Sequence, residues 1–188
     1  MSLRTTCLKA VLGGVLSLWS GLICVSANTV TLNFSAQIVR GTCSLSLDKS
    51  VLPLGSVSKY LLHSGALVNL HPFTLTAGNC NGAAEGSLQP GIVVTGTGST
   101  QDGKWLFRTS DSDAGGAGVM VVKSDTAPNY ASTEVNPNDF FPLARAGEAP
   151  VNTTLPFFAG VSCGGSTGCA TVKPGTLTAN IMFVFIYR

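Results

Sequence analysis

The chain has 188 residues, of which 11% are charged and 22 are glycine, with a formal net charge of +2. Charges so few and so balanced exclude a basic patch for nucleic acid and an acidic tail for a basic partner. The length suits one domain with a real core and is short for two.

Residues 1–27 read as a secretory signal peptide. Arg4 and Lys9 make a basic n-region, residues 11–25 are almost wholly apolar or small, and Val25-Ser-Ala27 offers small residues for cleavage before Asn28. As a transmembrane anchor the run has the wrong length and flanks, and no stop-transfer charges follow it. A lipoprotein signal ending at Cys24 is discounted because Ile23 stands where lipid attachment calls for a small residue. Cleavage leaves 161 residues carrying nine Lys and Arg against nine Asp and Glu.

Four cysteines then remain, Cys43, Cys80, Cys163 and Cys169. An even number in an exported chain argues for two disulfides formed in an oxidising compartment. Three pairings are possible in principle. Close spacing favours Cys163–Cys169 as a small loop clip, which leaves Cys43–Cys80 as the long-range bridge. Closing a loop of that length stabilises by about 3–4 kcal/mol on the chain-entropy account. Zinc is a poor alternative, because C-x5-C spacing and an isolated Cys43 do not make a tetrahedral ligand set.

Taken in chain order, the expected elements are strands. Residues 30–39 alternate apolar and polar positions with period two. Short β-rich runs follow at 66–76, 92–95, 105–108, 119–123 and 155–161. Between them lie turn-forming clusters such as Ala77-Gly-Asn-Cys-Asn-Gly82 and Thr95-Gly-Thr-Gly-Ser99. No amphipathic helix of useful length stands out, and there is no internal repeat or linker. Many short strands, abundant glycine and few charges point to one all-β domain of two packed sheets.

The last strand is the most informative. After Lys173-Pro-Gly175, one face carries Leu177, Ala179, Ile181, Phe183, Phe185 and Tyr187, and the other turns apolar at Met182, Val184 and Ile186. Such a strand needs cover on both faces and pairing at both edges. The chain ends one residue later at Arg188, so no following strand is expected to supply it. Near the other end, Val30, Leu32, Phe34, Ala36 and Ile38 form one apolar stripe ahead of Cys43. A stripe like this from a second copy fits an open groove by strand addition, with backbone hydrogen bonds for affinity and alternate side chains for specificity.

Several motifs together resemble the pilin subunits of the chaperone–usher pathway, of the type 1 fimbria kind. Gly175 stands fourteenth from the C-terminus and Tyr187 is penultimate. Val39-Arg-Gly-Thr-Cys43 precedes Phe73-Thr-Leu-Thr-Ala-Gly-Asn-Cys80, and Gly91-Ile-Val-Val-Thr-Gly96 and Asp113-Ala-Gly-Gly-Ala-Gly-Val119 are also similar. The resemblance implies an incomplete immunoglobulin-like β-sandwich lacking its last strand, completed by donor-strand complementation. It implies a leader over 1–27, a donor-strand extension over 28–40 running into the first strand, and a pilin domain over 41–188. It also implies a Cys43–Cys80 bridge, donor residues Val30, Leu32, Phe34, Ala36 and Ile38, and a groove edge and chaperone-binding strand comprising Gly175, Leu177, Ala179, Ile181, Phe183, Phe185, Tyr187 and Arg188. The expected partners are other fimbrial subunits, a periplasmic chaperone that anchors the Arg188 carboxylate, and an outer-membrane usher. The expected location is the cell-surface fimbrium, reached through the periplasm, with a role in cell adhesion. Cys43 falls at position sixteen after cleavage, similar to minor tip-fibrillum subunits. Two features depart from the family: Ala36 or the polar residues after it stand where donor strands usually carry Gly, and the Cys163–Cys169 clip is not general.

Other chemistries fare worse. Cys163 as a nucleophile with His63 or His71 as base has nothing to bring the three together, so no enzyme is expected. Asp102, Asp111 and Asp113 lack the spacing of a calcium loop, and no metal or other cofactor is expected. Trp105 and Phe107 stacking on a sugar would make a monomeric secreted carbohydrate-binding adhesin with a β-sandwich fold, the alternative reading. A tip adhesin of this pathway needs an added lectin domain, for which the chain is short.

Overall fold

A period-two apolar pattern lays down the longest strand, β2 (Val68–Asn81), in which Phe73, Leu75 and Ala77 are buried and the intervening Pro72, Thr74 and Thr76 are not. The computed structural model describes residues 41–82 and 86–188. The expected signal peptide and the extension over 28–40, with Val30, Leu32, Phe34, Ala36 and Ile38, lie outside those residues.

β1 (Thr42–Leu47) pairs antiparallel with β2, and β2 pairs with β8 (Thr153–Ser162). β6 (Gly118–Lys123), β5 (Lys104–Phe107) and β4 (Gly98–Gln101) complete a six-stranded sheet in the order β1-β2-β8-β6-β5-β4. A second sheet of three strands has the order β7-β3-β9, with β7 at Phe140–Pro142, β3 at Pro90–Gly96 and β9 at Ile181–Tyr187. All described pairings are antiparallel. The domain is an all-β sandwich of immunoglobulin-like, two-layer build.

The core lies between the layers. From the larger sheet it takes Phe73, Leu75, Val119, Val121, Leu155 and Phe157; from the smaller, Ile92 and Val94, with Ile181, Phe183 and Phe185 packed against them. Phe157 is fully buried and stacks on Phe73 at 5.3 Å between centroids, while Phe183 leans on Phe157 at 5.5 Å. β6 is apolar on both faces because both are covered. Val119 and Val121 enter the core, whereas Met120 and Val122 join Leu106 in a smaller cluster beneath Leu67 and Tyr130.

Composition misleads in three places. The Ala77–Gly82 cluster is strand almost to its end, because β1 pairs alongside and a disulfide joins Cys43 to Cys80. The Thr95–Ser99 cluster leads straight into β4: a Cβ at Gly98 would come within 2.9 Å of the Phe107 Cα, so this glycine permits close strand approach. At the C-terminus the ladder begins only at Ile181, opposite Gly96. Among the described residues, helix is confined to a 3-10 turn at Lys59–Leu61 and α1 at Ser166–Ala170. A second disulfide, Cys163–Cys169, closes the loop that contains α1.

Candidate functional site

β9 is an edge strand among the described residues, paired with β3 alone. Its alternation divides it into two faces. Ile181, Phe183 and Phe185 pack against the core, while Met182 is 62% exposed and Val184 37%. Upstream, residues 176–180 leave the sheet and run beside a turn at 109–114. The backbone N–H groups of Asp113 and Ala114 both donate to the Thr176 carbonyl, at 2.9 and 3.0 Å, and Thr109 N–H donates to that of Thr178 at 2.8 Å. The Ser112 hydroxyl closes the turn, donating to the Thr178 carbonyl and accepting from the Thr178 N–H.

Gly175 opens this segment. A Cβ there would lie 2.6 Å from the Ala114 nitrogen and 2.7 Å from the Asp113 carbonyl carbon, both backbone atoms that cannot swing aside. Only glycine allows the two segments to meet this closely.

Alongside runs an open cleft of about 810 Å³. One wall is the inner face of the larger sheet, with Phe73, Val119, Val121, Ala159 and Val161; the other is Leu177, Ala179, Ile181 and Phe183. Residues 47–62 form its remaining side, where Leu52 and Leu54 turn inward on to the core. The cleft is therefore floored by side chains of the hydrophobic core and bounded by a strand edge. Chemically it suits an extended apolar segment able to present backbone N–H and C=O groups to β9.

Of the residues expected at such a groove, Gly175, Leu177, Ala179, Ile181 and Phe183 line the cleft, and Phe185, Tyr187 and Arg188 do not. Phe185 packs against the core and meets Tyr187 edge-on at 5.5 Å. Arg188 exchanges backbone hydrogen bonds with Gln89, and its guanidinium lies 4.1 Å from the Phe140 ring centroid. The side formed by residues 47–62 had a faint signal in sequence, the alternation of Leu52 and Leu54 about Pro53. The interruption by proline hid it.

The residues weighed for other chemistries are placed elsewhere. The Cys163 sulfur is bonded to Cys169 and buried, so it offers no thiolate. His63 is exposed in a loop and His71 is half-buried in β2. Asp102 accepts from the Gly168 N–H at 2.9 Å, and that hydrogen bond holds its carboxyl below the ordinary value. Asp111 and Asp113 are exposed. Phe107 is fully buried, with Trp105 edge-on to it at 6.0 Å, and the Trp105 indole N–H is buried without an acceptor among the described residues. Neither ring is displayed for a sugar.

No family model and no curated protein matches the chain. Among solved structures, it is similar to a chain of a chaperone–usher pilus whose structure bears on rod uncoiling. That likeness has 20% identity, covers 87% of this chain and 98% of that one, and has a TM-score of 0.46. It is also similar to the P pilus rod subunit PapA, at 20% identity over 78% of this chain and 99% of that one, with a TM-score of 0.47. Both likenesses are to pilus rods.

Proposed function

We propose that this chain is a structural subunit of a bacterial surface fimbria, a sandwich that lacks its last strand and is completed by one donated from a neighbouring copy. The observation that carries the reading is the cleft, because core residues such as Phe73, Val119 and Val121 line an open groove beside the edge strand β9. A sandwich with all its strands closes that space.

The donor is the stripe Val30, Leu32, Phe34, Ala36 and Ile38, whose period-two pattern matches the alternation of β9. Each apolar side chain buried contributes about 1.5–3 kcal/mol. Ordering the extension costs about 1–2 kcal/mol per residue. The two sums are similar, so the outcome turns on what an unfilled groove costs in wetted core and unpaired ladder groups. A periplasmic chaperone would hold the cleft until an outer-membrane usher exchanges it for the next subunit. The protein would thus pass through the periplasm to the cell surface and take part in adhesion. The sequence motifs are similar to those of type 1 fimbriae, and the position of Cys43 to that of minor tip-fibrillum subunits.

The test is the oligomeric state of the exported chain, followed by analytical ultracentrifugation. Expressed alone, it should polymerise or be unstable. With a copy of residues 28–40 fused after Arg188 through a flexible linker, it should become a stable monomer. A chain that is a stable monomer with no such supplement overturns the proposal.

A further inference from the structure

One side of the cleft has no ladder to hold it. Residues 49–57 make no backbone hydrogen bond to any other element among the described residues, although Leu52 and Leu54 pack on the core and the segment borders the groove. At its start the Lys49 ammonium donates to the Pro72 carbonyl at 3.1 Å, and further along what ties it down is the side chain of Asn69. The Asn69 amide nitrogen donates to the Leu54 carbonyl at 2.8 Å and to the Ser56 carbonyl at 3.3 Å, on either side of Gly55.

The local backbone of β2 is built for this contact. The β2–β8 register shifts between Val68 and His71, and within that bulge Asn69 has φ +50°. A bulge re-aims one side chain out of the ladder. The left-handed conformation it requires here is tolerated by asparagine and costs most other side chains energy. Gly55 has φ +72°, so the segment turns where Asn69 grips it. Asparagine alone among the residues comfortable at this φ brings a two-donor amide to a pair of carbonyls; aspartate would bring only acceptors.

We infer that Asn69 is a positioning residue of the cleft, whose amide holds residues 54–56 in the place from which they guide an entering strand. The inference rests on the strand-accepting reading of the cleft. Its consequence is kinetic: a wall left to wander must be ordered as the strand enters, and capture slows.

The test uses the full exported chain carrying Phe34→Asp, which removes competition from its own extension, with a fluorescent peptide of residues 28–40 as probe. Adding Asn69→Asp should slow peptide capture about tenfold, the scale of one or two lost hydrogen bonds. It should also lower the backbone NMR order parameters of residues 52–57 while those of β9 stay the same. Asn69→Gly keeps the left-handed backbone without the donor and should behave alike, which covers a failure of the aspartate variant to fold. Asn138→Gly, at another left-handed asparagine (φ +72°) that does not line the cleft, should change neither readout. Capture at the parent rate in both Asn69 variants overturns the inference. A parent chain that ignores the peptide overturns the strand-accepting reading instead, and the order parameters then decide separately whether Asn69 holds the segment.

Discussion

Glu134 is pinned at the start of β5. One carboxylate oxygen accepts from the Lys104 ammonium at 2.8 Å and the other from the Trp105 N–H at 3.2 Å, with the two charged side chains only 11% and 20% exposed. Burial opposes the charge, yet the hydrogen bonds from Lys104 and the backbone hold the carboxyl below its ordinary value of 4.5. A carboxyl lowered in the folded state stabilises fully above its unfolded value and loses that contribution as pH falls through the folded one. Glu134→Gln should therefore cost about 2 kcal/mol at neutral pH. Its deficit should shrink towards zero well below pH 4.5, as read from urea midpoints at the two conditions. The pair Lys49–Asp48, with side chains 46% and 40% exposed, should contribute little to stability by comparison.

At the scale of elements, β1 is the weak member. It is an edge strand of six residues, and Cys43 is its one buried side chain. The Cys43–Cys80 bridge, spanning a sequence separation of 37, fastens it to β2. Replacing both cysteines by serine should lower stability by about 3–4 kcal/mol. The loss is expected to show as a reduced urea midpoint and as fast exchange in β1 before any other strand. Removing Cys163–Cys169, whose separation is only 6, should cost less, because a short loop has little entropy to lose. Spacing pointed to both pairings.

For the whole molecule, the prediction concerns assembly. Phe34→Asp places a charge in the middle of the proposed donor stripe, so it should stop chain extension while leaving the cleft able to take a chaperone strand. Co-purification from periplasm, together with fibre length by electron microscopy, separates the two. Loss of both together counts against the donor role of Phe34.

What could be read from residues alone was the set of faces. Period-two alternation in β2, the apolar runs of β6 and β8 and the two-faced β9 identify an all-β domain and name most of its core, because burial selects side chains position by position. What sequence could not reveal was which edges meet. Gly98 belongs to a strand only because β5 lies against it, residues 77–81 stay extended only because β1 is bridged to them, and Asn69 matters only because Leu54 and Ser56 arrive at its amide from fifteen and thirteen residues away. The groove itself was expected from the unpartnered last strand, and Gly175, Leu177, Ala179, Ile181 and Phe183 do line it, but the walls opposite them were hidden for the same reason. A groove is a relation between segments distant in the chain, and a pattern of side chains carries no record of the neighbour its backbone will find.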